Sequence, residues 1–475
     1  MDISTASSGA VIENLTFDEI TVGDRASIVR AVTAEDIELF AAVSGDVNPT
    51  HFDLPCAESA LSHGTIVHGI WSGTLISAVL STKLPGPGTI YLSQDLHFHA
   101  PVAIGDTVTA TVTAREKKPE RKHIVFDCRC VNQLGREVVT GTAEVQAPTK
   151  KVRGLRVELP DVRLNRHRRF QELLARAAGQ PPIPVAVAHP CDEAALAAVA
   201  EVAAVGLIVP ILVGPEAKIR AAAKAAKLDI DRFRLVNTPH SHASAAQAVA
   251  LVRAGEAEML MKGSLHTDEL MHEVVSAETG LRTERRLSHV YIMDVPAYPR
   301  PLLVTDAAIN IAPTLEEKRD IVQNAIDLAQ IMGVETPRVA ILSAVETVNP
   351  TLRSTLDAAA LCKMADRRQI TGGLVDGPLA FDNAVSPEAA RQKGIISPVA
   401  GHADILVVPD LEAGNMLAKQ LSFLASADAA GVVVGARVPI ILTSRADSER
   451  TRVASCAVAV LMARARRAVP VGAQH

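Results

Sequence analysis

The sequence predicts two unlike domains in series: a small α+β domain built on an antiparallel sheet, then a larger α/β domain with mainly parallel strands. Three observations carry this reading. At 475 residues the chain is too long for one ordinary core. Its texture changes near residue 150, from Val/Thr/Ile-rich alternation to short apolar runs separated by Ala-rich stretches. A basic segment without a long apolar stripe, residues 148–170, lies at the change and reads as a linker.

The front elements follow in order. Thr33-Ala34-Glu35-Asp36 has the form of a capping box opening a helix that runs to Gly45. Ile66 to Thr82 is apolar and continuous, ends before Leu84-Pro85-Gly86, and is too long for a strand, so it predicts a buried helix. Residues 88–102, 106–116, 123–133 and 137–147 alternate and are rich in Val, Thr and Ile, with a turn at Asn132–Arg136. A buried helix wrapped by an antiparallel sheet follows. Beyond the linker, the runs IPVAVAHP, LIVPILVG, EAEMLMKG, RVAILSAVE, ADILVVPD and ARVPIILTS read as short buried strands with Ala-rich helices between them. No GxGxxG and no GxxxxGK[ST] pattern is present, so dinucleotide or NTP chemistry has no positive support.

Composition narrows the function classes. Aromatic residues make up only 3%, so the cores rest on Ala, Val, Ile and Leu. The net charge is −5 and no Lys/Arg cluster is interleaved with stacking aromatics, so nucleic acid is not an expected partner. The first residues lack a basic n-region and apolar core, and the longest apolar run, Val202 to Gly214, is too short to span a bilayer. The six cysteines form no CxxC pair, and reduced thiols in a cytoplasmic enzyme are expected.

The informative front motif is Ser44-Gly45-Asp46-Val47-Asn48-Pro49-Thr50-His51-Phe52-Asp53. Asp46 and His51 are the residue types that move protons to and from a water, and Asn48-Pro49 is a turn signal between them. The residues alone more readily describe an ordinary helix-ending loop with a capping Asp and a surface His. The motif resembles that of the MaoC-like, R-specific enoyl-CoA hydratases, and the resemblance continues through Ile66-Val67-His68-Gly69, Ile90-Tyr91-Leu92 and Ile104-Gly105-Asp106. It implies a hotdog fold over residues 1–147, with Asp46 and His51 as the water-activating pair. It also implies an oxyanion donor in the backbone N–H of Gly69 and a supporting Ser77 on the central helix. Trp71, the only tryptophan, either narrows the acyl tunnel or belongs to the core.

Four rear loops offer anion-binding groups. Thr443-Ser444-Arg445-Ala446-Asp447-Ser448 lies between a strand and a helix and reads either as a phosphate site or as an ordinary N-cap. Lys262 follows the strand EMLM; Arg282, Arg285 and Arg286 cluster in RTERRLSH; Asp306 and Asn310 lie in the apolar loop DAAINIAP. Together with LMKGSLHTDELM, DGPLAFDNAVS and PDLEAGNMLAK, these blocks resemble the phosphate acetyl/butyryltransferase family, closer to its butyryltransferase branch. The resemblance implies a two-lobed α/β domain over residues 171–475, with one lobe near 171–284 and 433–475 and the other near 285–432. It makes Ser444 and Arg445 the phosphate and oxyanion groups, with Lys262, Arg286, Asn310 and Asp447 as further phosphate or CoA-binding candidates. Where family acetyltransferases place the aspartate base for the CoA thiol, this chain has Thr451, and Asp447 is the nearest acid.

The expectation is therefore a bifunctional enzyme acting on enoyl-CoA, acyl-CoA and inorganic phosphate. No bound cofactor or metal, no membrane partner and a homo-oligomeric state are expected. The alternatives are a non-catalytic acyl-CoA-binding or thioesterase front domain, and a CoA or acyl-phosphate sensor without turnover.

Overall fold

The computed structural model describes residues 11–52, 65–155, 162, 168–442 and 447–468. The chain divides into two compact units, Met1–Leu164 and Asn165–His475.

In the front unit, Thr33 caps the helix Ala34–Ser44, and the reciprocal bonds of a capping box with Asp36 are both present. Gly45 closes that helix in the left-handed conformation, φ 76°, which costs glycine nothing. Five antiparallel strands form the sheet: β2 (Arg25–Ala31), β3 (Ile90–Phe98), β4 (Thr107–Lys118), β5 (His123–Val131) and β6 (Glu137–Gln146), in the order β2-β4-β5-β6-β3. Two short strands, β1 (Val11–Glu13) and β7 (Arg153–Leu155), pair separately. The inward side chains of β4, Val108, Ala110, Val112 and Ala114, recur at every second position, as a half-buried strand requires.

The helix Gly69–Thr82 packs Trp71, Leu75, Ile76, Val79 and Leu80 into this face, against Phe126, Cys128 and Cys130 of β5. The apolar run expected as helix from Ile66 begins to coil only at Gly69, because Ile66 pairs with Ala103 and Val67 N–H donates to the Val102 carbonyl. Trp71 is 6% exposed and packs in the front core. The five described cysteines are free, and burial pushes the Cys128 and Cys130 thiols up to about 12.

The rear unit is an α/β body around one 11-stranded sheet. Five strands run parallel on one side: β8 (Ile183–Ala188), β9 (Ile208–Gly214), β10 (Arg234–Asn237), β11 (Met259–Lys262) and β18 (Ile440–Ile441). Four run parallel on the other: β13 (Leu302–Thr305), β14 (Arg338–Leu342), β15 (Leu374–Leu379) and β16 (Ile405–Val407). Between them stand β12 (Ser288–Asp294) and β17 (Asp428–Val434), paired antiparallel to each other and to their outer neighbours. Helices cover the sheet, among them Glu449–Ala468, whose buried Val453, Ala457, Val460 and Met462 lie in the main core. Among the described residues no helix is long and apolar enough to cross a membrane.

Phe126 is fully buried, so Phe126→Ala is expected to destabilise the front unit by about 3–5 kcal/mol. Urea unfolding followed by emission of the single Trp71 measures this; a loss below about 1 kcal/mol would contradict the packing described.

Candidate active sites

The front site is assembled at the first turn of the buried helix. Asp46 N–H donates to the Ser44 hydroxyl (3.2 Å), Asp46 Oδ1 accepts from Asn48 N–H (3.3 Å), and Asn48 Oδ1 accepts from Thr50 N–H (3.2 Å). Pro49 opens a short 3₁₀ turn, Pro49–His51, which carries His51 back toward Asp46. His51 Nε2 stands 3.9 Å from Asp46 Oδ2, with the imidazole 9% exposed and the carboxylate 50% exposed. His51 Nδ1 lies 2.7 Å from the Ile66 carbonyl. A carbonyl only accepts, so Nδ1 carries the proton and Nε2 presents its lone pair toward Asp46.

An apolar cavity of about 310 Å³ opens beside this pair, lined by His51, His68, Gly69, Ser72, Phe98 and Val138 among others. Gly69 is the first residue of the helix, so its N–H has no intrahelical acceptor and the positive end of the helix dipole faces the cavity. Ser77 stands apart from this cavity: it is exposed and absent from the lining, whereas Ser72 is 1% exposed and lines it. Eight residues of helix place Ser77 about 12 Å along the axis from Gly69, out of reach.

Sequence reasoning passed over His68. It is 1% exposed, its Nε2 is 3.0 Å from the Asp46 carbonyl, and its ring stacks on His51 with centroids 3.8 Å apart and planes at 31°. Ligand-type atoms of Asp46, His51 and His68 lie within 4.8 Å of one another. Stacked imidazoles send their in-plane lone pairs side by side rather than to one point, which suits an acid–base pair with a support better than a cation cradle. The signal in the sequence was a histidine immediately before a glycine that starts a buried helix.

In the rear unit, Lys262 ends β11, where Leu260 and Met261 pair with Ile440 and Ile441 of β18. That register sets Lys262 level with Leu442, two residues before Ser444. Gly263 follows because a Cβ there would lie 2.5 Å from the Ala188 carbonyl oxygen. Ser444 and Arg445 fall outside the described residues. A few residues later in the chain, Ser448 Oγ accepts from Thr451 N–H (3.1 Å) and lies 3.0 Å from the Thr451 hydroxyl, so Thr451 is engaged in capping the following helix.

A second cluster forms at the end of β13. Asp306 Oδ1 accepts from the N–H groups of Ala308 (3.0 Å) and Ile309 (3.1 Å), and Oδ2 from that of Asn310 (3.1 Å). Asn310, 3% exposed, donates through Nδ2 to Asp306 and to the Leu287 carbonyl (2.8 Å) and accepts from Arg286 Nε (2.7 Å). Arg286 Nη1 also faces Glu317 at 3.2 Å, and the side chain is 52% exposed. The expected Arg286 and Asn310 thus form one unit, with the guanidinium edge at the surface.

Next to it, on β12, His289 is 2% exposed and its ring meets Tyr291 edge-on at 4.4 Å. A Cβ on Gly431 of β17 would sit 3.0 Å from His289 Nε2 and 3.4 Å from the Tyr291 ring, so this pair needs a glycine opposite it. Burial pushes His289 down to about 4, against the pull of Asp306. Burial and the nearby Asp447 raise Tyr291.

An antiparallel sheet wrapped around a buried helix, with an Asp/His pair at an apolar cavity, is a hotdog fold. The rear sheet, with amide, guanidinium and ammonium groups at strand ends, defines an α/β domain suited to anionic acyl carriers. Residues 238–460 match the Phosphate acetyl/butaryl transferase family and residues 21–131 match the MaoC like domain. The chain is 66% identical over 305 residues to a phosphate acetyltransferase of Rhizobium meliloti, covering 64% of this chain and 96% of that one. It is 43% identical over 294 residues to a phosphate butyryltransferase of Clostridium acetobutylicum, covering 62% of this chain and 98% of that one. A solved branched-chain phosphotransacylase from Enterococcus faecalis superposes with a TM-score of 0.53 at 33% identity, over 59% of this chain and 99% of that one. The chain belongs to the phosphate acetyl/butyryltransferase family and carries a MaoC-like hotdog domain in front of the transferase domain.

The folded pKa of His289 lies below that of an unfolded histidine, so the unfolded chain binds the extra proton first. Its neutral burial stabilises fully above about pH 6.5, and that contribution is lost as pH falls from there toward 4. Between those limits, wild type is expected to lose about 1.4 kcal/mol per pH unit more than His289→Asn, read from urea midpoints of the rear unit. Equal slopes would contradict a buried neutral His289.

Proposed function

We propose that the chain is a bifunctional acyl-CoA enzyme that hydrates trans-2-enoyl-CoA to (R)-3-hydroxyacyl-CoA at its front site and exchanges an acetyl or butyryl group between CoA and inorganic phosphate at its rear site. The observation that carries the front reading is the Asp46/His51 pair beside the cavity, with the His51 tautomer set to leave Nε2 as an acceptor. A water about 2.8 Å from each reaches both Nε2 and Oδ2 across their 3.9 Å gap. The pair removes a proton from that water as its oxygen adds to C3, and a proton is delivered to C2. The Gly69 N–H holds the enolate oxygen that develops between those events.

At the rear site a phosphate oxygen attacks the thioester carbonyl, the C–S bond breaks, and the thiolate leaves as the acyl phosphate forms. Ser444 and Arg445 bind phosphate and the tetrahedral oxyanion, with Lys262 at the neighbouring strand end and Arg286–Asn310 as a CoA or phosphate contact. Thr451 stands where family acetyltransferases have the aspartate, and we assign the CoA thiol to Asp447, the nearest acid in sequence. Neither reaction as written calls for a bound cofactor or metal. The chain works in the cytoplasm as a homo-oligomer, its partners being small acyl thioesters and phosphate.

Thiol release from acetyl-, propionyl- and butyryl-CoA, with and without phosphate, tests the rear site. Release is expected to require phosphate and to fall about 10²–10³-fold in Arg445→Ala. Phosphate-independent release points instead to a thioesterase, and no release to a sensor. Loss of the enoyl thioester absorbance of crotonyl-CoA tests the front site. Asp46→Asn and His51→Ala are each expected to slow it about 10²–10⁴-fold and to leave phosphate-dependent release unchanged. Absence of hydration in wild type would make the front domain an acyl-CoA binder.

A further inference from the structure

We propose that His68 is a positioning residue of the front site, clamping the backbone of Asp46 and giving His51 a neutral aromatic face to lie on. The proposal rests on the hydratase reading above.

Three contacts argue it. The first is the bond from His68 Nε2 to the Asp46 carbonyl at 3.0 Å. The acceptor there is a carbonyl, so Nε2 holds a proton, and in the neutral ring Nδ1 keeps a bare lone pair. That Nδ1 is buried and has no hydrogen-bond partner. A buried acceptor without a donor is costly, and an apolar side chain at residue 68 would avoid the cost. His68 makes no capping bond for the helix it precedes, so capping does not account for it.

The other two contacts are between rings: His51 stacks on His68 at 3.8 Å, and the Phe40 ring stands 5.0 Å away with planes tilted by 46°. His51 becomes an imidazolium when it takes a proton from water. A neutral π face favours that cation, whereas a second cation at 3.8 Å would oppose it. The tautomer imposed by the Asp46 carbonyl therefore also suits the ring to its neighbour. Asp46 needs such an anchor because its carboxylate is half exposed, and a small displacement of a reacting group is enough to lose most of its effect. His68 thus ties the Asp46 loop and the His51 turn to the start of the buried helix, where Gly69 supplies the oxyanion donor.

Three variants of the full chain separate these roles: His68→Gln retains a donor at the place of Nε2, His68→Phe retains the ring, and His68→Ala removes both. Crotonyl-CoA hydration, hydrogen exchange of the amides of residues 45–52, and Trp71 emission are measured on each. His68→Ala is expected to lower kcat about 10²-fold with KM changed less than about threefold. His68→Phe and His68→Ala are expected to speed exchange of the Asp46 loop, while His68→Gln restores slow exchange and recovers part of kcat. Unchanged Trp71 emission shows that the core is intact. Wild-type kcat and exchange in His68→Phe and His68→Ala overturn the proposal and leave the hydratase reading standing. So does an equal loss in all three variants accompanied by altered Trp71 emission, which marks a purely structural residue. A wild-type chain that hydrates nothing removes the hydratase reading, and the role of His68 falls with it.

Discussion

Burial of the Gly69–Thr82 helix against the inner face of the front sheet fixes where its first turn begins, and every group of the front site is referred to that turn. Ile76, Val79 and Leu80 have no exposed surface, so the helix cannot slide or rotate without uncovering them. Its start therefore delivers the Gly69 N–H, the His68 ring and, one step earlier, the Ile66 carbonyl to fixed places. The loop from Ser44 to His51 is short and largely exposed, and it owes its geometry to those anchors and to its own Asx-type bonds. Loop chemistry on a rigid apolar support is the usual division of labour in a binding site.

The rear unit meets the same demand with strands. The antiparallel strand β12 separates two parallel sets, and its polar side chains sit where an ordinary core strand would carry aliphatic ones. His289 and Tyr291 fit only because Gly431 lies across from them, and Asn310 is held by Asp306 and the Leu287 carbonyl before it reaches Arg286. The guanidinium is aimed by buried groups while its outer edge stays near solvent, an arrangement that suits a charged substrate entering from water.

Much of this was legible in the chain. The capping box at Thr33, the strands after residue 88, the turn at Asn132–Arg136 and the Asn48-Pro49 bend all follow from local chemistry, and local chemistry decided them. The strands β12, β15 and β17 did not stand out, because Ser, His, Asp and Gly interrupt their apolar runs and only partners distant in sequence explain those residues. Ser77 was carried over by family resemblance, but an exposed helix position eight residues past Gly69 cannot face the cavity of its own domain. His68 and His289 were hidden for the opposite reason. The burial and partners of a histidine are not readable from its local sequence, and here the decisive neighbours are a carbonyl 22 residues away and a glycine on another strand. Ser444 and Arg445, the residues most strongly implied for phosphate, lie beyond the described positions.

On the function proposed above, the front domain adds water with one hand of stereochemistry while the rear domain handles the same carrier independently. Chiral separation of the product formed from crotonyl-CoA by the Arg445→Ala chain tests it most directly. The account calls for (R)-3-hydroxybutyryl-CoA, formed at the wild-type rate by a chain whose phosphate-dependent transfer is lost. Formation of the (S) product, or loss of hydration together with transfer, would contradict it.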